Sequence, residues 1–418
     1  MQHRIPPEPA TPARAAMAHA IETCVHCGFC LAACPTYQVL GEERDSPRGR
    51  IVLMKQVLEG DLALEEARPH IDRCLGCLAC VTACPSGVPY GELLTPFRAE
   101  AGEQATTIVD RLRRRVLLDT LESPSRFRTA VQVGQFAQRV APFIPSAAQP
   151  MLKLLPDALP PAAPLPSLVP AEGTRRARVA LLAGCAQQVL SPDINHAAIR
   201  VLAANGVEVV VPPGQGCCGA LALHVGDDDR AYAHATAAAR AFPADVDAIV
   251  TTAAGCGSAM KEYGHAFAGR DQADALSACG SRVQDVAEFL DAIGLVAPMC
   301  MRTPTVVAYH DACHLAHAQG VRQAPRALLS QVDGLRVVEV PQGDFCCGSA
   351  GLYNVEQPDL AAELGRRKAE AIRSTGATAV AAGNIGCLVQ IATHLQAGTP
   401  AIAVRHTVEV MAESLLDG

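Results

Sequence analysis

The stretch CVHCGFCLAACP, Cys24 to Pro35, spaces its thiols C-x2-C-x2-C-x3-C-P. The stretch CLGCLACVTACP, Cys74 to Pro85, repeats that spacing, with 39 residues between Cys34 and Cys74. Three cysteines at two-residue intervals fit a tight loop around one face of a metal–sulfur cube. A fourth, three residues further on, points away from that loop. Pro35 and Pro85 restrict the chain just past each fourth thiol.

The spacing predicts two [4Fe–4S] clusters with crossed ligation. Cys24, Cys27, Cys30 and Cys84 form one expected ligand set, and Cys34, Cys74, Cys77 and Cys80 the other. Structural zinc usually takes cysteines as two C-x2-C knuckles, not three in a row plus a proline-flanked fourth. The N-terminus has no apolar signal region, and no run of eighteen apolar residues occurs. A cytoplasmic chain, with peripheral attachment to the inner face of the membrane still open, is expected. There thiols stay reduced, which favours metal over disulfides.

The 418 residues are enough for several cores. Half of them are hydrophobic, but tryptophan is absent and aromatics are 4%, so the cores must be aliphatic and alanine-rich. The net charge of −7 gives no reason to expect nucleic acid as a partner.

Residues 1–16 are rich in proline and alanine and are expected to be a flexible N-terminus. Residues 17–100 carry both cysteine runs and predict a mostly helical two-cluster domain. Inside it, Ser46 and Pro47 mark a helix start, Ile51, Met54 and Leu58 share one face, and Gly60 ends the pattern. Residues 101–176 form a helical and Pro-rich linker. Between Arg111 and Lys153, the residues Arg111, Arg113, Arg114, Arg115, Arg126, Arg128, Arg139 and Lys153 face only Asp119 and Glu122. A segment of this kind, within 104–155, docks a partner or an anionic membrane surface, or is a solvated helix face packed on its neighbour, the favoured reading. Pro142, Pro145, Pro150, Pro156, Pro160, Pro161, Pro164, Pro166 and Pro170 suggest a strap or linker.

The rest is an internal duplication, with expected units at 177–300 and 301–418. In the first unit the strand-like run Val179–Leu182 leads to Cys185, Val207–Val211 to Cys217 and Cys218, and Ala248–Thr252 to Cys256, with helices between. In the second, Val306–Tyr309 leads to Cys313, Leu335–Val340 to Cys346 and Cys347, and Thr378–Ala382 to Cys387. Strands alternating with helices imply βαβ units and parallel sheets. The thiols lie near strand C-termini, where open α/β sheets place ligands. Each unit supplies four thiols, the stoichiometry of one cluster. A Cys-Cys pair suits a loop around a metal better than a strand, where successive side chains point to opposite faces. Metal-free packing is the competing reading. Cys279 and Cys300 fall outside the pattern and read as structural.

The doubled pattern resembles the cysteine-rich (CCG) domains of the heterodisulfide reductases, and similar domains occur in anaerobic glycerol-3-phosphate dehydrogenase and lactate-utilisation iron–sulfur proteins. With two ferredoxin motifs in front, the chain resembles most closely the iron–sulfur subunits of glycolate oxidase (glycolate dehydrogenase). The stretches Gly184 to Gln187, Gly216 to Ala220, Lys261 to Gly264, Phe345 to Gly351 and Asn384 to Cys387 carry that likeness. The full CCG motif ends C-x-x-C; here Ala259 and Gln390 stand at the last position. That departure counts against a heterodisulfide reductase-like enzyme. The resemblance implies two [4Fe–4S] clusters and one or two further iron–sulfur clusters in the CCG domains.

His310, His314 and His317 bracket Cys313 at spacings that put them on one face of any helix starting there. Two roles are open to them: ligation, or hydrogen bonds around a ligated sulfur, the favoured one. His26 in the first loop is expected to be exposed, and Lys261 and Glu262 have no assigned role. No GxGxxG, P-loop or flavin-binding motif appears, and no catalytic residue is assigned. The resemblance therefore implies an electron-transfer subunit, with FAD on partner dehydrogenase subunits and a quinone or other acceptor downstream. D-lactate and glycerol-3-phosphate systems are the alternatives to glycolate.

Overall fold

The computed structural model describes residues 1–6, 11–104, 108–138, 152, 154–156, 158–396 and 401–416. Arg139, Lys153, Pro142, Pro145 and Pro150 lie outside the described residues. The helix Pro47–Glu59 starts where the sequence places it: Ser46 Oγ accepts from the Gly49 amide at 3.0 Å, and Gly60 closes it in the left-handed region. Ile51, Met54 and Leu58 are buried against Met17, Ile21, Ile71 and Leu93. An earlier helix, Pro12–Thr23, is capped by Thr11, so residues 12–16 are helical and the ordered core begins ahead of residue 17.

Nine strands follow among the described residues. They are β1 (Leu168–Val169), β2 (Ala177–Leu182), β3 (Val207–Val210), β4 (Ala248–Thr251), β5 (Val283–Asp285), β6 (Cys300–Tyr309), β7 (Asp333–Glu339), β8 (Ala379–Ala382) and β9 (Ala403–His406). One sheet runs β1-β3-β2-β4-β5 and the other β7-β6-β8-β9. All pairs are parallel except β1 against β3. Both copies thus share the order second, first, third, fourth strand. β4 and β8 are buried at every position, as expected of parallel strands covered on both faces. β5 and β9 add a fourth strand per copy. Each feeds a helix through a capping box, Asp285 with Glu288 and His406 with Glu409.

One apolar core runs through both sheets, joining Leu181, Val250 and Leu290 to Val307, Val380 and Met411. At the seam the Ala254 amide donates to Gly383 O at 3.1 Å. His406 is fully buried there; its Nε2–H donates to Thr252 O at 2.8 Å and its Nδ1 accepts from Val408 N–H at 3.1 Å. Burial holds its pKa down to about 4, against the pull of the Thr252 carbonyl. The unfolded ring takes up a proton near pH 6.5, and the folded one does not until about pH 4. Stability should therefore fall as pH drops from 6.5 towards 4, with this one residue costing about 2 kcal/mol at pH 5. Denaturant midpoints across that range should show a shallower slope for His406→Asn; an unchanged slope refutes the assignment.

The linker helices Ile108–Leu121 and Pro124–Gln138 are partly pinned. Arg114 pairs with Glu356 at 2.7 Å, Arg113 donates to Val355 O and Arg128 to Pro160 O. Glu122 accepts from Arg230 and His234 at 2.6 and 3.0 Å. Ile108, Val109, Leu112 and Val116 nevertheless form an exposed face, with Arg111 and Arg115 exposed beside it.

Candidate metal centres

In the first cysteine run His26 and Gly28 take positive φ (58° and 89°), which curls the loop back on itself. Cys24, Cys27, Cys30 and Cys84 line one pocket of about 420 Å³, bordered by Arg48, Tyr90 and Cys80. Cys27 is exposed and His26 half-buried. Cys34 is not among the residues lining that pocket and lies against Thr36 and Arg50. Burial raises the Cys80 thiol, and the neighbouring Cys77, Cys74, Cys34 and Cys30 sulfurs add to that. The structure brings Cys84 to the first loop, and sets Cys34 near Cys77, Cys80 and Cys30, between the two loops. Backbone amides point at sulfur in both, Val88 N to Cys84 Sγ at 3.5 Å and Gly76 N to Cys74 Sγ at 3.4 Å.

Arg50 sits beneath the second set, 1% exposed. Its guanidinium reaches Cys34 Sγ at 3.8 Å, Thr36 Oγ1 at 2.9 Å, Asp45 Oδ1 at 3.4 Å and His70 O at 2.7 Å. Asp45 also holds Arg73 at 3.1 Å. Burial works against ionisation of Cys74, but Arg50 and Arg98 outweigh it and lower its pKa.

The two cysteine-rich copies each gather their four thiols at the C-terminal ends of the strands. In the first, Cys185 and Cys217 sulfurs are 3.7 Å apart, and Cys256 comes from the first turn of the helix Ala254–Lys261. Thiols of Cys185 and Cys218 flank Cys217 and hold it down to about 3, against its burial. In the second, Cys313 and Cys346 sulfurs are 4.0 Å apart. Cys347 is held well down by Cys346 and Cys387 on either side. Asn384 Nδ2 donates to Cys387 Sγ at 3.5 Å. The glycine after each Cys-Cys pair is required: Gly219 and Gly348 have φ of +78° and +94°, and a Cβ would lie 2.9 and 2.7 Å from Ala231 O and Ala361 O. Cys279 is buried in an apolar cluster, and Cys300 Sγ contacts its neighbour's carbonyl. Lys261 pairs with Glu288 at 2.6 Å.

The three histidines do not share a face, because helical turns begin only at His314. His310 points at Cys347 and Cys387, all three ligand atoms lying within 4.8 Å of one another. His314 Nε2 donates to Gly76 O at 3.1 Å, and His317 Nδ1 meets Thr82 Oγ1 at 2.9 Å. These two hold the second ferredoxin loop. Tyr353 donates to Arg73 O at 3.0 Å and His224, from the first copy, to Leu75 O at 3.1 Å. Leu75, Cys77 and Ala79 pack with Cys313, Cys346, Tyr353 and Leu364 in one apolar cluster. Sequence reasoning missed Arg50, Asp45, His224 and Tyr353.

Residues 20–88 match the 4Fe-4S dicluster domain, and residues 179–261 and 307–392 each match the cysteine-rich CCG domain. Over 427 aligned residues the chain is 37% identical to the glycolate oxidase iron-sulfur subunit of Escherichia coli (strain K12), covering 99% of both chains. It belongs to the family of glycolate oxidase iron-sulfur subunits. The probable glycolate oxidase iron-sulfur subunit of Bacillus subtilis (strain 168) is 34% identical, over 88% of this chain and 87% of its own. Lactate utilization protein A of Oceanobacillus iheyensis is 28% identical over 56% of this chain and 96% of its own. The dicluster and CCG domains of this family member fit iron–sulfur cofactors by their donors: grouped thiols, mostly buried, with amide N–H groups aimed at sulfur. No helix among the described residues is long and apolar enough to cross a membrane.

Proposed function

We propose that the chain carries electrons from a FAD-containing 2-hydroxy-acid dehydrogenase subunit, with glycolate as the substrate, to a quinone or another acceptor. In this reading Cys24, Cys27, Cys30 and Cys84 hold one [4Fe–4S] cluster and Cys34, Cys74, Cys77 and Cys80 the other. Cys185, Cys217, Cys218 and Cys256, and Cys313, Cys346, Cys347 and Cys387, hold further iron–sulfur centres. Such cofactors supply one-electron transfer, which divides the electron pair of a hydride. The observation that carries the reading is the seat of the second ferredoxin loop, where Cys77 shares a buried apolar cluster with Cys313 and Cys346. His224 of the first copy and His314 and Tyr353 of the second tie that loop to both copies. Cys27, exposed between Val25 and Phe29, each 67% exposed, leaves the first loop open to a partner.

Glycolate is preferred over D-lactate because the relatives named for glycolate oxidase align with nearly the whole chain. The exposed face of Ile108, Leu112 and Val116, flanked by Arg111 and Arg115, supports contact with an anionic membrane surface near a lipid-borne acceptor. The test is anaerobic reconstitution with the FAD subunits, anionic vesicles and a quinone. Glycolate should bleach the visible absorbance of this chain and reduce the quinone, and Leu112→Asp should release the assembly from vesicles. Faster bleaching by D-lactate or glycerol-3-phosphate would reassign the substrate. Disulfide reduction by the chain alone with a reduced dye would replace the relay with a heterodisulfide reductase-like enzyme.

A further inference from the structure

His310 follows directly on β6 and is fully buried. Its Nδ1 lies 3.1 Å from Gly343 O, so Nδ1 carries the proton and donates it. Nε2 is then a bare lone pair, buried, and without a hydrogen-bond partner. A ring nitrogen of His310 lies within 4.8 Å of the Cys347 and Cys387 sulfurs, and with Nδ1 held by Gly343 O the unpaired Nε2 is the one left for a metal; among the described residues no other three ligand-type side chains are so placed. A backbone carbonyl on one ring nitrogen is what fixes the tautomer of a metal-bound histidine. Among the described residues the first copy has no such grouping, and the histidine that bears on its Cys217, His234, is turned to Glu122 at 3.0 Å. Aligning the runs that lead to Cys185 and Cys313 puts Leu182 where His310 stands, and Leu182 is packed in an apolar cluster with Cys218.

We propose that the centre of the second cysteine-rich copy is a mixed sulfur–nitrogen site in which His310 Nε2 is a direct ligand beside Cys347 and Cys387, whereas Leu182 at the matching place in the first copy offers no ligand. The proposal rests on the reading that the second copy binds iron. Imidazole is a neutral ligand where thiolate is anionic, so it raises the potential of the iron it holds. The two copies, alike in fold, then differ in redox poise, and the second is the better electron sink.

The experiment uses the full chain purified anaerobically, with iron and zinc counted first. About eight irons and no zinc would mean that neither copy is loaded, which overturns the underlying reading. With further iron present, pulsed EPR of the reduced chain should show a strongly coupled nitrogen. That coupling should vanish in His310→Leu, the first-copy residue, while the ferredoxin signals persist and report an intact fold. His310→Cys should retain the iron and lower the midpoint potential of that centre. Extra iron with no strongly coupled nitrogen, or a coupling that survives His310→Leu, overturns the ligation alone. If zinc fills the site, X-ray absorption at its edge should show one nitrogen among sulfurs, and sulfur alone overturns the ligation.

Discussion

Replacing Arg50 with methionine should destabilise the chain by about 3 kcal/mol and make the iron–sulfur centre of Cys34 and Cys74 harder to reduce. Arg50 and Asp45 are each 1% exposed at the side chain, so removing the guanidinium leaves a buried carboxylate short of its partner. Arg73 remains at 3.1 Å, which keeps the cost near the lower end for a broken buried pair. The potential should fall for a separate reason. Arg50 is the buried cation beside Cys34 Sγ and lowers the Cys74 pKa, so it stabilises added negative charge there. Denaturant titration reads the first effect and potentiometric EPR the second. Asp45→Asn in the same chain should recover part of the stability and none of the potential, which separates them.

Crossed ligation, as proposed for the two ferredoxin loops, makes a sharper prediction. Cys34→Ser and Cys77→Ser strike one set, so the double variant should lose about four irons, no more than either alone. Cys34→Ser with Cys27→Ser strikes both and should lose about eight. Uncrossed ligation reverses the two outcomes, because Cys27 and Cys34 would then share a set. Iron analysis of the two double variants, with circular dichroism to confirm helical content, decides between them.

The thiols were legible because ligand spacing is local and the motif occurs twice. Ser46, Pro47 and Gly60 marked a helix for the same reason: caps act on their own neighbours. Arg50 had a signal that went unread. It precedes Met54 and Leu58 at intervals of four, which puts a charge on the buried stripe of that helix. β5 and β9, of three and four residues, are as short as β4 and β8 but lead to no cysteine that would mark a strand end. The grip of His224, His314 and Tyr353 on the loop Arg73–Thr82 joins residues 149 to 280 positions apart. Periodicity holds no record of such contacts. The histidine trio was misplaced because one helix was assumed across His310 to His317, whereas the turn starts at His314.

Solvent meets these thiols unequally. Cys27 is exposed and Cys30 partly so, whereas Cys77, Cys346, Cys347 and Cys387 are buried. Cys80, Cys84 and Cys256 are also partly open, so oxygen, peroxide and chelators meet the first loop soonest and the second copy last. Chemical damage has an order built into it: the outer loop corrodes first, and the deep centres outlast it.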